Sequence, residues 1–361
     1  MTIKQQRVMI MAGGTGGHIF PGLAVADELR SKGVDVAWLG TQAGLESRLV
    51  PAQGYPLYTI KIQGLRGKGL KGWLLAPWKI IQALRQANAI VKKLAPCVVL
   101  SMGGYVAGPG GLAARLRGIP LLIHEQNRVP GMTNKILARW AKIKFQGFPD
   151  SFPASNSVIT VGNPVRESIL SIDAPSPRMS QRSGPLRLLV LGGSQGAAAL
   201  NRMLPRALSR LPAQTQLLVR HQAGKGHAGS TRERYQAEEH SADVCEFIED
   251  MAAAYAWADL VICRAGALTV AEIAAAGLAA VFVPFPAAVD DHQTRNAQYL
   301  ASAGAARILQ EASLNAEDLA KVLTSLTSSR VKLIQMAEAA RGLALPDAAK
   351  IVASRCQEIC A

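Results

Sequence analysis

Aromatic residues are scarce in this chain of 361 residues, where Phe, Trp and Tyr together make up 5%. Proteins that hold single-stranded nucleic acid stack its bases on aromatic side chains beside a basic groove. The sequence shows no blocks of Lys and Arg interleaved with aromatic residues. Nucleic acid is therefore the weaker explanation for the basic character described below.

The cysteines lack the spacing of a metal or disulfide motif. They are odd in number, no C-x-x-C occurs, and they are scattered: Cys97, Cys245, Cys263, Cys356 and Cys360. We therefore predict neither a disulfide framework nor a zinc site, and a reducing cytosol suits this usage best. The Asp-Asp-His run at 290–292 has no partner cluster at ligand spacing, so no metal is expected there either.

Long uninterrupted apolar segments are also absent. The stretch from Val8 to Ala12 is too short for the core of a signal peptide. The longest apolar run, Gly277 to Val289, contains two prolines and cannot span a bilayer. We expect any membrane contact to be peripheral.

Acidic residues are outnumbered, with 25 Asp and Glu against 40 Lys and Arg, which gives a net charge of +15. Such a balance indicates an anionic partner: a nucleic acid, a phosphorylated substrate or an acidic membrane surface. Hydrophobic residues reach 49% and there are 33 glycines, which favours a large core with repeated tight turns. The length suits two domains.

Both halves of the chain repeat a buried strand, a glycine-rich turn and a helix. The strands predicted from apolar runs are Arg7–Ala12, Val34–Gly40, Val98–Met102, Pro120–His124, Arg187–Leu191 and Leu260–Cys263. A Pro-, Gly- and Ser-rich stretch at 162–185 separates the halves. The pattern predicts an α/β fold of two doubly wound Rossmann-like domains, with parallel sheets facing a central cleft. We place the domains at 1–165 and 166–345, with a C-terminal helix at about 346–361 packing back on the first.

Glycine turns follow four of the predicted strands. They are Gly13 to His18, Gly103 to Tyr105, Gly192 to Gly196 and Arg264 to Thr269. Free N–H groups at a helix start attract oxyanions, so the set predicts a bound nucleotide. The first turn matches neither G-x-G-x-x-G nor a P-loop, and each turn alone is also compatible with a ligand-free bend.

Three titratable residues lie at the end of a predicted strand or shortly after it. His18 directly follows the first turn and is a candidate general base, although a single His is often structural. Glu125 belongs to a His-Glu-Gln-Asn run that either lines the site or forms a capping network. Glu272, six residues after Gly266, either accepts from ribose hydroxyls or is stabilised by its helix dipole.

A basic segment near residue 70 precedes large apolar side chains. Arg66 and Lys68 come first, followed by Trp73, Leu75 and Trp78. This order is typical of a peripheral membrane surface, or of a core helix that follows a basic loop. Its glycines also fit a loop over the cleft that grips a phosphorylated acceptor.

The motifs in this order resemble the MurG family of N-acetylglucosaminyltransferases over essentially the whole chain. The matching segments are GGTGGHIFP at 13–21, GLRGKGLK at 64–71, GGYVAGPGG at 103–111, HEQN at 124–127, GNPVR at 162–166, GGSQGA at 192–197, FIEDM at 247–251, RAGALTVAE at 264–272 and DDHQT at 290–294. The resemblance implies a GT-B fold and a metal-independent, inverting transfer without a cofactor. The donor would be UDP-N-acetylglucosamine, and the acceptor the 4-hydroxyl of a muramoyl pentapeptide on undecaprenyl diphosphate (lipid I), giving lipid II for peptidoglycan.

The resemblance also implies roles for particular residues. His18 is the first candidate for the base and Glu125 the second. The donor contacts would be Thr15, Gly16, Gly17, Asn127, Arg166, Ser194, Ile248, Ala267, Leu268, Thr269, Val270, Ala271, Glu272 and Gln293. Of these, Thr15, Gly16 and Gly17 would also lie, with His18, beside the acceptor diphosphate. The remaining acceptor and membrane contacts would be Gly14, Arg66, Lys68, Gly104, Tyr105, Trp73, Leu75 and Trp78.

The first domain would then bind acceptor and membrane, and the second the UDP-sugar. The protein would lie peripherally on the cytoplasmic face of the bacterial inner membrane, with other cell-wall or division proteins as candidate partners. Ala287 stands where many relatives carry His, and Arg128 where a small residue is common. Two rivals stay open: another GT-B enzyme with a different sugar or acceptor, and a basic nucleotide- or nucleic-acid-binding regulator.

Overall fold

The computed structural model describes residues 6–62 and 76–361, which form two compact units. Unit 1 comprises Met1–Arg166 and Leu345–Ala361, and unit 2 comprises Glu167–Ala344. The division after Arg166 lies inside the Pro- and Gly-rich stretch at 162–185.

Unit 1 contains a seven-stranded sheet in which all neighbouring strands are parallel. Its order is β3-β2-β1-β4-β5-β6-β7. The strands are β1 (Arg7–Ala12), β2 (Asp35–Gly40), β3 (Leu57–Thr59), β4 (Val98–Gly103), β5 (Leu121–Glu125), β6 (Ile143–Gln146) and β7 (Val158–Thr160). The central strands β1 and β4 are buried except for Arg7, and almost all of their residues are apolar, because helices cover both faces.

Helices pack on each face of this sheet. They are α1 (Gly16–Ser31), α2 (Glu46–Ala52), α3 (Ala76–Leu94), α4 (Ala107–Leu116), α5 (Met132–Leu137) and, from the chain's last segment, α15 (Ala348–Cys360). One core joins α1, α2 and α15 to the sheet, and a second core joins α3, α4 and α5 to its other face.

Unit 2 repeats this architecture with six parallel strands in the order β10-β9-β8-β11-β12-β13. The strands are β8 (Leu186–Leu191), β9 (Leu217–Gln222), β10 (Asp243–Cys245), β11 (Leu260–Cys263), β12 (Ala279–Phe282) and β13 (Ala306–Ile308). The helices are α6 (Glu167–Leu170), α7 (Pro175–Ser180), α8 (Ala198–Leu208), α9 (Ala228–Ala237), α10 (Met251–Trp257), α11 (Ala267–Ala276), α12 (His292–Ala301), α13 (Ala316–Thr327) and α14 (Arg330–Arg341). The predicted class, two doubly wound α/β domains with parallel sheets, is confirmed.

A buried ion cluster ties three parts of unit 2 together. Asp259 is fully buried just before β11 and pairs with Arg182 at 2.5 Å and with Arg330 at 3.0 Å. The backbone N–H of Arg187 also donates to this carboxylate, at 3.0 Å. The cluster therefore connects the segment after α7, the start of β8 and α14.

Each sheet reverses its winding direction beside its first strand. In unit 1 the chain passes to β2 on one side of β1 and later to β4 on the other, and in unit 2 β9 and β11 flank β8 in the same way. Ligands of open parallel sheets bind at such switch points, beyond the carboxyl ends of the strands. The four glycine turns follow β1 and β4 in unit 1, and β8 and β11 in unit 2.

Two cysteines pair, contrary to the expectation drawn from their scattered positions. Cys97 and Cys360 form a disulfide, with Cα atoms 5.1 Å apart. They are 263 residues apart in sequence, but the packing of α15 brings its last residue beside the start of β4. Sequence spacing carried no sign of this contact, because it depends on where the final helix packs.

Candidate functional site

The first glycine turn leads from β1 into α1. Gly14 takes a positive φ of 95°, which glycine adopts without strain. Thr15 is the N-cap of α1, in extended conformation and without a side-chain cap hydrogen bond. The N–H groups of Gly16 and Gly17, in the first turn, have no intrahelical acceptor, and Gly17 is exposed. This helix start can therefore hold an oxyanion.

The ring of His18 packs against Gly103, the last residue of β4. A Cβ added to Gly103 would come within 2.9 Å of its Nε2, so the imidazole rests against the bare Cα of that glycine. Its Nδ1 is 3.3 Å from the hydroxyl of Thr15. Loss of water around the ring lowers the pKa of His18 to about 4, so the side chain is neutral at pH 7. A neutral imidazole can accept a proton.

Glu125, the second candidate base, is buried at the end of β5. Its oxygens accept from the N–H of Asn127 at 3.0 Å, the N–H of Gly131 at 3.1 Å and the amide of Asn134 at 3.0 Å. Burial raises the pKa of Glu125, and these hydrogen bonds oppose that rise. A base must reach the proton of its substrate. With both oxygens engaged inside the fold, Glu125 anchors the loop at 127–131, which favours His18 as the base.

His124 and Gln126 form a buried network behind this loop. The Nε2 of His124 is 2.9 Å from the Gly162 carbonyl, and its Nδ1 is 3.1 Å from the amide of Gln126. Burial lowers the pKa of His124 to about 4, so the ring is neutral and donates from Nε2. This pair corresponds to the capping network that the sequence left open. The half-buried Asn127 joins the same loop, because its side-chain amide donates to Glu125 at 3.3 Å.

The candidate acceptor residues that follow β4, Gly104 and Tyr105, lie against the first glycine turn. A Cβ on Gly104 would overlap the carbonyl oxygen of Gly13, so the two backbones touch. The ring of Tyr105 is 3.4 Å from the Cβ position of Gly14. The structure thus brings Gly14, Gly104 and Tyr105 together at the unit 1 switch point.

Two further side chains lie close to this turn. The guanidinium of Arg166, a predicted diphosphate contact, lies 5.5 Å from the centre of the Phe20 ring on α1. Glu46, which the sequence analysis did not single out, is fully buried and accepts the N–H of Gly14 at 3.2 Å. Its sequence signal was weak, since a Glu in the first turn of a short helix is usually solvated.

In unit 2 the turn after β8 presents Ser194 to solvent. The N–H of Gly192 donates to Gln222 at 2.9 Å, and that of Lys225 donates to the Ser194 carbonyl at 3.1 Å. The loop after β9 therefore fixes the backbone and leaves the Ser194 hydroxyl outward. The helix that follows, α8, has no side-chain N-cap hydrogen bond.

The second turn of unit 2 opens α11. Its N-cap Gly266 is extended and has no side chain, so the first N–H groups are uncapped. Leu268, Thr269 and Ala271 are half-buried, whereas the side chains of Ala267 and Val270 are buried. The backbone N–H of Val270 donates to the Gly266 carbonyl at 3.0 Å, so the uncapped N–H groups are those before it.

Glu272 lies in the second turn of α11, nearly buried. The hydroxyl of Tyr255 on α10 donates to its Oε2 at 3.0 Å. The same helix α10 follows Ile248, the predicted uracil contact, and begins after Asp250, whose side chain caps Ala253 at 2.9 Å. The carboxylate is thus oriented by a neighbouring side chain, which a dipole-stabilised surface charge does not require.

Gln293, the predicted sugar contact of unit 2, joins two loops. Its Oε1 accepts from the N–H of Ala265 at 3.2 Å and of Phe285 at 2.9 Å. Arg264 donates to the Val283 carbonyl at 3.0 Å and pairs with Glu311. With its oxygen engaged, Gln293 has its amide N–H groups left to donate to a hydroxyl.

Four predicted residues, Arg66, Lys68, Trp73 and Leu75, lie outside the described residues. Trp78 is described, and its side chain is 64% exposed on α3. Over residues 6–62 and 76–361, no group of three or more His, Cys, Asp or Glu side chains has the arrangement of a metal site. In the same ranges no helix is long and apolar enough to cross a membrane.

Known protein families match this chain in both of its halves. Residues 8–146 match the N-terminal domain of glycosyltransferase family 28, and residues 187–352 match its C-terminal domain. A curated Pseudomonas paraeruginosa protein, UDP-N-acetylglucosamine--N-acetylmuramyl-(pentapeptide) pyrophosphoryl-undecaprenol N-acetylglucosamine transferase, is 53% identical over 98% of both chains. A Coxiella burnetii protein of the same name is 51% identical over 98% of both chains. The crystal structure of Acinetobacter baumannii MurG is 48% identical, with a TM-score of 0.85 over 98% of this chain and 99% of that one.

Proposed function

The chain belongs to the MurG family within glycosyltransferase family 28, and from that premise we propose that it transfers N-acetylglucosamine from UDP-N-acetylglucosamine to lipid I. The attacking group is the 4-hydroxyl of the muramoyl pentapeptide carried on undecaprenyl diphosphate, and the product is lipid II. The names of relatives that share about half of its residues support this donor and acceptor.

One structural observation carries the proposal: each unit has a pair of glycine turns at its switch point, beside uncapped helix starts. Such N–H groups bind diphosphates. The reaction has two substrates, and each contains a diphosphate. Unit 1 then holds the diphosphate of lipid I, and unit 2 that of the UDP-sugar.

Inversion requires direct displacement at the anomeric carbon. The bond from the acceptor O4 to C1 forms, the bond from C1 to the diphosphate oxygen breaks, and the hydroxyl proton passes to Nε2 of His18. For Nε2 to take this proton, Nδ1 must carry the hydrogen of the neutral ring, and it can donate that hydrogen to the hydroxyl oxygen of Thr15, 3.3 Å away.

The leaving UDP gains negative charge as the bond breaks. The first N–H groups of α11, the hydroxyl of Ser194 and the guanidinium of Arg166 stabilise it, so neither a metal nor another cofactor is needed. Glu272 binds the ribose hydroxyls, the backbone of Ile248 binds uracil, and Asn127 and Gln293 hold the sugar.

Radiolabelled donors incubated with lipid I in detergent test the reaction. We expect label in lipid II from UDP-N-acetylglucosamine and little from UDP-glucose. Transfer from UDP-glucose alone would establish the rival glycosyltransferase instead.

The role of His18 as the general base is tested by substitution. His18→Ala should lower kcat by at least about 100-fold while UDP affinity, measured by calorimetry, is unchanged.

A further part of the proposal is that unit 1 docks on the cytoplasmic face of the inner membrane through one face of its sheet. Helices α3, α4 and α5 there expose large apolar side chains: Trp78, Ile80, Ile81, Leu116, Met132, Ile136 and, just beyond α5, Trp140. Arg115 lies over the Trp140 ring at 5.9 Å. Apolar groups beside cations are what anionic lipid surfaces bind.

Sedimentation with anionic vesicles tests this docking surface. The triple variant Leu116→Ser, Met132→Ser and Ile136→Ser should leave most of the protein unbound. Val331→Ser in unit 2, where the side chain is also exposed, is the matched control and should sediment normally. Equal sedimentation of both variants would refute the proposed surface.

A further inference from the structure

The first glycine turn of unit 1 is built around a buried carboxylate. Glu46 accepts three hydrogen bonds: from Gly14 N–H at 3.2 Å, from Thr41 N–H at 2.9 Å and from the Thr41 hydroxyl at 2.7 Å. Glu46 is 0% exposed. A carboxylate has only acceptor sites, so all three contacts require oxygen at these positions.

Three glycines leave the space that this side chain fills. A Cβ on Gly13 would lie 2.8 Å from its Oε1, and one on Gly40 would lie 2.7 Å from its Cγ. A Cβ on Gly44 would overlap the carboxylate itself. The end of β1, the end of β2 and the loop before α2 are therefore shaped together to receive Glu46.

This contact changes which backbone groups can serve the acceptor. The family resemblance implies that Gly14 contacts the acceptor, yet its N–H is directed to Glu46. A phosphate oxygen in the same place would also face a buried negative charge, which is unfavourable. The uncapped N–H groups of Gly16 and Gly17 remain for an anion.

We propose that Glu46 is a positioning residue for acceptor binding. By holding Gly14 N–H, it fixes the turn so that Gly16 and Gly17 N–H groups, beside His18, receive the diphosphate of the acceptor. The inference rests on the proposed function, because it assumes that this turn binds the acceptor diphosphate.

Glu46→Gln is the sharpest test because it keeps the volume of the side chain. An amide offers one oxygen and one NH2 group, so either orientation places an N–H against the N–H of Gly14 or of Thr41. The turn must shift to relieve that contact. We expect the KM for a short-chain prenyl-diphosphate form of lipid I to rise about tenfold, the scale of one misplaced hydrogen bond. The KM for UDP-N-acetylglucosamine should change less than about twofold, because the proposal gives Gly16 and Gly17 to the acceptor and binds the UDP through Ser194, Ile248 and Glu272 of unit 2.

Thr41→Val provides a second variant if Glu46→Gln folds poorly. It removes the hydroxyl's bond to Glu46 and the bond that the hydroxyl accepts from the Gly44 N–H at 3.1 Å. The carboxylate and its contacts with the N–H groups of Gly14 and Thr41 remain, so we expect a smaller rise in acceptor KM, of about threefold. Asp259→Asn is the control for general destabilisation. It weakens a buried carboxylate cluster in unit 2, so it should lower the melting temperature and leave the acceptor KM unchanged.

The outcomes separate the inference from the function on which it rests. If the unsubstituted protein does not convert lipid I, the proposed function fails. If it does, and Glu46→Gln and Thr41→Val both keep the normal acceptor KM, the role of Glu46 is refuted. An equal rise in donor and acceptor KM for Glu46→Gln would also refute it, because that result indicates damage to the whole fold.

Discussion

Tyr255 and Glu272 are a pair in which one side chain orients another. The phenol of Tyr255 is buried and donates to Oε2 of Glu272 at 3.0 Å. A carboxylate that binds two vicinal hydroxyls must present its oxygens in one plane and at one angle. The hydrogen bond from α10 fixes that angle.

We therefore predict that Tyr255→Phe raises the KM for UDP-N-acetylglucosamine about fivefold to tenfold, with kcat nearly unchanged. The comparison donor is 2′-deoxy-UDP-N-acetylglucosamine, which cannot use the full ribose contact. The variant should discriminate less between the two donors than the unsubstituted protein does. An unchanged KM ratio for the two donors would show that Tyr255 supports only the core.

Single residues also show where sequence reasoning stops. His18 and Glu272 were singled out because each follows a glycine turn, which is a local signal, and their roles stay predictions. Glu46 and Asn134 were not singled out, because their hydrogen bonds join segments that no local pattern connects. Glu125 was singled out for its strand-end position, but its direction into the 127–131 loop depends on backbone geometry that the sequence does not display.

Gly103, at the end of β4, determines the position of the His18 imidazole. Gly103 has a φ of +100°, and a Cβ there would come within 2.8 Å of the His18 ring. Both the backbone conformation and the space therefore require glycine.

Gly103→Ala should accordingly lower kcat by about tenfold or more, because it displaces the proposed base. Gly118→Ala is the matched control: it has a φ of +67° in the same unit, and its Cβ would meet no atom within 4 Å. Both substitutions should cost about 1 kcal/mol of stability for the strained backbone, measured by urea unfolding. A normal kcat in Gly103→Ala would contradict the placement of His18.

At the level of elements, the strands that the apolar runs predicted are present with ends shifted by one residue at most. The strand predicted at Val34–Gly40 is observed at Asp35–Gly40, and the one predicted at Pro120–His124 is observed at Leu121–Glu125. The missed strands include β3, β7, β10 and β13, which have three residues each. Such edge strands are too short to show a period, and they form because a neighbouring strand offers unpaired backbone groups.

The acid sensitivity of the whole molecule follows from three histidines with lowered pKa values. Loss of water around the ring lowers the pKa of the half-buried His18 and of the buried His124 to about 4, and that of the buried His221 to about 3, against an ordinary value of 6.5. The unfolded chain therefore binds these protons at a higher pH than the folded protein. Glu125 opposes them, because burial raises its pKa.

The free energy of unfolding should be flat above about pH 6.5 and fall below it, by up to about 1.4 kcal/mol per pH unit for each histidine. Urea titrations between about pH 4.5 and 8 measure this decline. His221→Gln should reduce its slope by about one proton, whereas the exposed His227→Gln is the control. If His221→Gln left the dependence of the unfolding free energy on pH unchanged, that result would contradict the lowered pKa of His221.

The Asp259 cluster should be a major determinant of the stability of unit 2. Removing the buried carboxylate leaves the partly buried guanidinium groups of Arg182 and Arg330 without their anion, so Asp259→Ala should cost about 3 kcal/mol. Asp243→Ala breaks an exposed pair with Arg220 and should cost at most about 1 kcal/mol. Equal losses of unfolding free energy in the two variants would show that the buried cluster contributes no more to stability than an exposed ion pair.

The two-unit organisation was visible in the sequence as a repeated strand, turn and helix on either side of a Pro-rich stretch. The pairing of Cys97 with Cys360 was not, because it follows from the tertiary packing of α15. Strand order was not visible either, and it is what places the two glycine turns of each unit together at its switch point.

The return of α15 to unit 1 also sets an order for folding during synthesis. Val352, Ala353 and Cys356 complete the core that α1 and α2 share, so unit 1 has a gap in that core until α15 has left the ribosome. Unit 2 is one continuous stretch, Glu167–Ala344, and all of its residues emerge earlier. Unit 2 can therefore finish folding before unit 1, and the nascent unit 1 exposes the apolar groove that α15 fills until that helix is translated.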